Sequence, residues 1–552
     1  MLNTPKKTNF WFLPLGGAGE IGMNLNLFGH NNEWIIVDCG ITFGDRLGID
    51  IIMPDPSAIL EHADSIKALV LTHAHEDHIG AVPYLWPYLK CPVYATPFTA
   101  QILRQKLEEK SWAKQVKIIE VPLSGRVQIG SFDVEYITLT HSIPEPNALA
   151  IRTELGCVLH TGDWKIDPQP LLGEATNENR LKEIGEEGVL ALICDSTNVF
   201  DEGSTGSEGD VRDEFEKLID QIPNGRIVAC CFSSNVARVE SIAYAAHKNG
   251  RKVALLGRSL EKMIRAATLT GYLKELPGFI PAEQAMDMPR DKVLFISTGS
   301  QGEYRSALAR VSQRDHQTVS LDEGDTVIFS SRVIPGNERT ISAMQNRLIH
   351  QGIRIITSHE KAVHVSGHPA QEDLKAMYKW IKPQSLIPVH GEARHMHAQA
   401  ELGLANGIKQ ALVPSNGTLI ELSGKAPKII DTVDSGRWGI DGKCLVNMQS
   451  LILKERQKIS VQGVIFLSIP VDDIYQMQGT PVVSSYGVVE PGEEAQKLQE
   501  DMQNIVRRTM RNNLGKEKNY IEAVQRAVKQ ECNQRFGKKP ITEVHFVKNE
   551  SF

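Results

Sequence analysis

The chain is 552 residues long, more than one ordinary domain accommodates, so two to four domains are expected. A hydrophobic content of 41% and a charged content of 23% are those of a soluble globular protein. No apolar run approaches the roughly 20 residues that span a bilayer. The formal net charge of −7 gives no global sign of nucleic-acid binding, although a local basic patch is still allowed.

The opening "MLNTPKKTNFWFLPLGGAGE" has a basic pair and an apolar core of only about six residues, shorter than a signal-peptide core. It reads as a first strand, and the expected compartment is the cytoplasm, with no membrane partner. Residues 17–22, "GAGEIG", match the dinucleotide fingerprint GxGxxG, which requires a helix to begin at its end. Instead, the adjoining stretch "MNLNLFGHNNEWIIVDCG" alternates like a strand, turns at "GHNNE" and becomes strand again. That is hairpin patterning, so the dinucleotide reading is rejected.

The apolar run "ALVL" (68–71) leads into "THAHEDHIG" (72–80), which carries His73-x-His75-x-Asp77-His78. In an extended stretch His73 and His75 point to one side. The chain turns at Glu76, and Asp77 and His78 approach from a second direction. Two pairs of N/O ligands suit two adjacent ions, with zinc favoured and manganese as the alternative. Eight cysteines form no CxxC pair, and most lie in apolar strand-like runs. Reduced, buried cysteine is expected, and the metal site must be built from His and Asp.

Polar residues then recur at the ends of apolar strands. "YITLTH" ends in His141, "GCVLHTGDW" carries Asp163, and "LALICDSTN" carries Asp195. Asp38, in "WIIVDCG", fits the same rule and is expected to orient a ligand histidine. A polar stretch, "DEGSTGSEGD" (201–210), reads as a linker or flexible loop. From about 211 to 358, short apolar strands ("RIVACCF", "KVALLG", "KVLFIST", "DTVIFS", "IRIIT") alternate with amphipathic helices such as 235–250. This is the rhythm of a parallel α/β sheet. Histidines return in "HVSGHP" (364–369) and at His390 in "SLIPVHGEARHMH". An α/β domain inserted into the metal domain explains that spacing, with the chain re-entering to supply His390. His395 and His397 are expected at the surface. From roughly 450, the strand "VQGVIFLSI", a polar helix over 492–513 and a basic "GKKPITEVHFV" suggest a further small α/β domain.

HxHxDH with the later His141, Asp163 and His390 resembles the metallo-β-lactamase fold. The insertion, the Asp195 motif, "HVSGH" and "PVHGE" resemble its β-CASP branch of nucleic-acid nucleases. "GGAGEIGMN", "THAHEDHIGAVPYL", "TGDWKID", "CDSTN", "TGSQGE" (298–303) and "IPGNE" (334–338) narrow the resemblance to the bacterial ribonuclease J family, over nearly the whole chain. The fold this implies is a metallo-β-lactamase αββα sandwich, with an inserted β-CASP parallel α/β domain and a small C-terminal α/β domain. The expected boundaries are 1–205, 206–358, 359–448 and 449–552.

By resemblance, His73, His75 and His141 hold one Zn2+, Asp77, His78 and His390 hold the other, and Asp163 bridges them. Ser233, Ser234 and Asn235, with the loop His364, Val365, Ser366, Gly367 and His368, would contact RNA phosphates. Some relatives carry a histidine where this chain has Ala237, so that contact is missing here. His368 is a candidate general acid or a further phosphate contact. Asp195 and Asp77 complete the candidate catalytic set, Asp195 as a support, expected behind His390. Two zinc ions per chain can activate water near neutral pH for phosphoryl chemistry. The implied function is a zinc-dependent ribonuclease acting in RNA maturation and decay. It would cut 5′-to-3′ with a preference for 5′-monophosphate ends on single-stranded RNA, with endonuclease activity besides. A homodimer or homotetramer is expected. The alternatives are a thioester or lactone hydrolase of the same fold, and an inactive RNA-binding scaffold.

Overall fold

The computed structural model describes residues 2–512 and 516–548. The chain forms two compact units, one of Met1–Phe43 with Ile51–Arg437, the other of Gly44–Asp50 with Trp438–Phe552. The second unit therefore begins before residue 449.

In the larger unit, two sheets lie face to face. The eight-stranded one contains Phe10–Gly16, Leu25–His30, Glu33–Val37 and Ile66–Val70 as consecutive neighbours. The Leu25–His30/Glu33–Val37 hairpin turns through Asn31 and Asn32, with φ of 48° and 63°. This left-handed pair matches strand twist, and asparagine tolerates it. The seven-stranded sheet contains Phe132–Thr138, Asn147–Thr153, Gly156–His160, Val189–Asp195 and Ser385–Val389 in that spatial order.

Alternation decides which side chains meet. Phe10, Phe12, Ile35 and Val37 face Val134, Tyr136, Leu149, Ile151 and Ile193 in a core between the sheets. The intervening residues Ile137, Ala148, Leu159 and Leu192 turn outward, beneath Leu181 and Ile184 of helix Glu178–Glu187 and Leu374, Met377 and Ile381 of helix Gln371–Ile381. The fold is an αββα sandwich. Val189–Asp195 and Ser385–Val389 are parallel neighbours, with Asp195 beside Val389, although almost 190 residues separate them.

That interval holds a five-stranded all-parallel sheet, in the order Lys252–Leu256, Val293–Ser297, Ile227–Cys230, Thr326–Phe329, Arg354–Thr357. Its strands are mainly apolar, with Lys252 and Arg354 exposed at the starts of the two edge strands, and helices pack against it. Among them is Val236–Lys248, begun by Asn235, whose side chain accepts from Arg238 N.

In the smaller unit, Val464–Val471 pairs antiparallel with Val482–Tyr486 and parallel with Ile541–Lys548. Helices Glu493–Met510 and Glu517–Phe536 bury Leu498, Met502, Val524 and Val528 against Ile465, Leu467 and Ile469.

Three expectations are corrected. Residues 201–210 are no loose linker: Thr205 Oγ1 donates to the His368 carbonyl (2.9 Å), and Glu208 already begins a helix with its side chain buried. Val461 and Gln462 close helix Leu451–Gln462, and the strand starts only after Gly463 (φ 75°). His395 is buried against Phe200, with ring centroids 5.2 Å apart, because it falls on the inward face of helix Ala393–Ala405; His397 is exposed. The cysteines are all free, and all but Cys444 are buried.

Candidate metal centre

Strand ends deliver the site. Glu33–Val37 leads to Asp38, Ile66–Val70 to residues 73–78, Phe132–Thr138 to His141, Gly156–His160 to Asp163 and Ser385–Val389 to His390, while Val189–Asp195 ends in Asp195 itself. Asp38 (φ 65°) and His390 (φ 51°) occupy left-handed conformations uncommon for residues with a side chain. Such strain is retained where the surrounding structure enforces it, and here both residues turn the chain into the centre.

His73, His75, His141 and Asp163 each offer a ligand atom, all within 4.8 Å of one another. His75 Nδ1 lies 3.0 Å from His73 Nε2 and 3.1 Å from His141 Nε2. Asp77, His78, Asp163 and His390 form a second such group. Asp163 Oδ2 joins the two: it is 3.2 Å from His78 Nε2, 3.6 Å from His390 Nε2 and 3.9 Å from both His73 Nε2 and His141 Nε2. Among the described residues these two adjoining clusters could each hold a metal ion, and Asp163, Asp195 and His368 form a smaller third group beside them.

The other nitrogen of each imidazole is engaged, which fixes the inward lone pair. His78 Nδ1 donates to Asp38 Oδ2 (2.7 Å), the expected role of Asp38. The same carboxylate accepts from Thr72 N and Thr72 Oγ1, and Thr72 Oγ1 in turn accepts from His73 Nδ1 (3.0 Å). His141 Nδ1 donates to the Gly367 carbonyl, and His390 Nδ1 meets Asn24 Oδ1 at 3.1 Å. These partners set tautomer and ring direction as outer supports of metal histidines do. Asp163 Oδ1 and His390 Nε2 are buried without a hydrogen-bond partner among the described residues. Buried polar atoms left so are costly, and a cation between them relieves the cost. The hard carboxylate and borderline imidazole donors fit zinc or manganese, and no thiol is among them.

The electrostatics of the two halves differ. Burial, with neighbouring imidazoles, pushes His73 and His141 well below the usual histidine range, and burial takes His75 down to about 4. Burial acts on His78 in the same direction, but Asp163, Asp77 and Asp38 outweigh it and raise its pKa well above the ordinary value. Asp163 resists protonation for the complementary reason: His390 and His78 overcome the penalty of burial.

Beside the clusters, His368 Nδ1 donates to Asp195 Oδ2 at 2.8 Å. This corrects the expected pairing of Asp195 with His390, whose ring is held by Asn24. Asp195 and His390 end adjacent strands, but the carboxylate faces the returning 364–368 loop. Burial disfavours the His368 cation, yet Asp195, Asp163 and Asp77 prevail and push its pKa up to about 9.

The same loop packs on the metal domain. A Cβ on Gly367 would lie 2.6 Å from His141 Cε1, so only glycine allows this approach. Ser366 Oγ accepts from Asn198 Nδ2 (2.7 Å), so its hydroxyl is engaged. The N–H groups of Ser366 and Gly367 meet no acceptor among the described residues. Asn235 is also partly committed, its side-chain carbonyl capping a helix, whereas Ser233 and Ser234 are half-buried at the same turn. His364 sits 3.2 Å from Arg238 Nη1, and burial with that cation keeps its ring neutral.

Sequence reasoning missed Arg238 and Asn24. Arg238 is wholly buried and paired with Glu208 (2.8 Å), and its guanidinium donates to the carbonyls of Ser330, Val363 and Val365. It joins the 233–235 turn to the 364–368 loop. The signal available was an arginine on the apolar face of "NVARVESIAYAA". For Asn24 it was an amide at the head of an alternating strand.

Sequence comparisons match residues 22–220 to the metallo-beta-lactamase superfamily and 224–348 to the ribonuclease J beta-CASP domain. Residues 352–414 match a Zn-dependent metallo-hydrolase RNA specificity domain, and 451–549 the ribonuclease J C-terminal domain. The chain is 44% identical over 550 residues to ribonuclease J of Sinorhizobium meliloti, covering 97% of each protein. It is 36% identical to ribonuclease J of Thermus thermophilus, covering 83% of this chain and 81% of that one. With ribonuclease J of Helicobacter pylori strain J99 it shares 37% identity over 84% of this chain and 68% of the relative. A solved protein of unknown function from Enterococcus faecalis has the same fold over 75% of this chain and all of its own, at 19% identity and a TM-score of 0.53.

Proposed function

Because the chain belongs to the ribonuclease J family and is a metal-dependent RNA hydrolase, we propose that it is a zinc enzyme removing nucleotides 5′-to-3′ from single-stranded RNA, with preference for 5′-monophosphate ends. The observation that carries this reading is the pair of clusters sharing Asp163 Oδ2, set beside a loop with free backbone donors. His73, His75 and His141 would hold one ion, Asp77, His78 and His390 the other, with Asp163 between them. Two such ions supply Lewis acidity and a nucleophilic water for in-line displacement at phosphorus.

The remaining steps belong to side chains. His368, kept protonated by Asp195, gives its proton to the leaving oxygen as the P–O bond breaks. The N–H groups of Ser366 and Gly367, with Ser233 and Ser234, take the 5′-terminal phosphate of the strand. Their spacing is set by Arg238, which bonds both segments. A pocket made for one phosphate sets the cutting register and disfavours a triphosphate. The protein would act in RNA maturation and decay in the cytoplasm; among the described residues no helix is long and apolar enough to cross a membrane.

The test compares matched RNAs with 5′-monophosphate, triphosphate and hydroxyl ends, using wild type and Ser366→Trp loaded with zinc. The monophosphate should be degraded fastest, and the preference should collapse in the variant while internal cutting persists. Equal exonucleolytic rates on all three ends in wild type would rule the pocket out.

A further inference from the structure

Residues 196–201, just beyond Asp195, form a turn whose polar groups are committed to the site. Ser196 Oγ donates to the Val389 carbonyl (2.9 Å) and Thr197 Oγ1 to the His390 carbonyl (3.0 Å). Asn198 Nδ2 donates to Ser366 Oγ and, at 3.2 Å, to the His368 carbonyl. The Val199 carbonyl accepts from Gln371 Nε2 (3.0 Å), and Asp201 pairs with Arg332 at 2.6 Å. Within this pinned turn Val199 is buried, yet the next side chain, Phe200, is 51% exposed.

The surroundings of Phe200 are specific. The buried ring of His395 meets that of Phe200 at an interplanar angle of 53°, with centroids 5.2 Å apart, so it props the ring without stacking on it. The Arg394 guanidinium carbon lies 5.7 Å from the Phe200 centroid, inside the range of a cation–π contact, and Arg394 Nε bonds Glu392 Oε2 at 3.0 Å. Phe200 lies five residues after Asp195, and Arg394 four after His390. Asp195 and His390 end neighbouring strands, so the same topology that assembles the metal centre brings ring and guanidinium together. Five residues reach about 18 Å when fully extended, and this segment turns back on itself, so the ring stands within a few nucleotides of a phosphate at the clusters.

We infer that Phe200, backed by His395 and flanked by Arg394, is a stacking platform for one nucleobase of the RNA strand beside the metal centre. An aromatic face next to an arginine is how proteins hold single strands without reading sequence, because every base presents a π-face. A protein partner is disfavoured, since one ring and one arginine are far below the roughly 1,000 Å² that a specific protein interface buries. A rigid turn serves this purpose because the ring needs no ordering when the strand arrives.

The experiment measures KM and kcat of the zinc-loaded full chain on a 5′-monophosphorylated RNA. A series of RNAs with one abasic nucleotide at each of the first six positions is measured alongside. Phe200→Ala should raise KM about five- to tenfold, in the range for losing one base–aromatic stack, with a smaller effect on kcat. Phe200→Trp should restore the wild-type KM. On the abasic series, the gap between wild type and Phe200→Ala should close at one position and remain at the others. Being exposed, Phe200 can be replaced without disturbing the core, and equal thermal melting of the three proteins verifies this. An unchanged KM in Phe200→Ala, or a gap of the same size on every abasic RNA, would overturn the platform.

Discussion

The two halves of the metal centre are built from different kinds of sequence. The histidines of the first half, His73, His75 and His141, arise within the first 141 residues, just beyond the ends of two strands of the sandwich. The second half needs His390, supplied only after the inserted parallel sheet, and it needs Asp38 and Asn24 to aim its histidines. In the first half burial outweighs the nearby carboxylates, so its imidazoles are neutral before any cation arrives. The second gathers Asp77, Asp163 and Asp38 around His78, which therefore holds a proton that a cation must displace. One half is thus ready as folded, while the other is completed by a long-range contact and by metal itself.

Asp163 is the point where this division fails, since one oxygen serves both halves. Asp163→Ala should lose both ions and bring RNA cleavage to background, read by metal analysis and a cleavage assay. Retention of one stoichiometric ion with activity would mean the halves do not share it. His390→Ala should also abolish cleavage, but with metal content falling to about one per chain, as loss of one tetrahedral donor set implies, while RNA still binds. Wild-type turnover in that variant would show that the re-entering strand is dispensable.

Supports come next in size. Asn24→Ala should weaken the second ion by about 10- to 100-fold, the usual cost of removing an outer partner, and leave the first ion in place. Asp38→Asn should weaken the second ion similarly and the first ion less, because the same carboxylate also holds Thr72 against His73. Gly367→Ala should do the reverse: its added Cβ displaces the His141 ring and weakens the first ion. Competition with a chelator distinguishes the two patterns, and uniform loss in all three variants would erase the comparison.

The smallest effect is one of pH. As pH falls, His78 regains its proton first, because its pKa lies above the ordinary value, whereas His75 titrates only near 4. The second ion should therefore leave at higher pH than the first, seen as two steps of metal release on acidification. A single step, or the first half emptying earlier, would reverse the assignment of charge to the two halves.

The sequence by itself determined the candidate donors and the strands that lead to them. HxHxDH after an apolar strand, and polar residues at the ends of "YITLTH", "GCVLHTGDW" and "SLIPVH", were legible because period-two burial makes a polar residue at a strand end stand out. The five parallel strands of the insertion were equally plain, being mainly apolar. Tertiary structure alone decided the pairings. Asp195 lies as near His390 along the strand ends as any pattern would suggest, yet it bonds His368, because the 364–368 loop folds back over it. Arg238 is in sequence one more helical cation, and only its burial against Glu208 and three carbonyls reveals its position between the 233–235 turn and the 364–368 loop. His395 looked solvent-exposed until its helix packed beside Phe200. Periodicity reports which face a residue occupies, a local property of backbone geometry; which partner meets it there depends on contacts hundreds of residues apart, fixed only when both sheets and the insertion have packed.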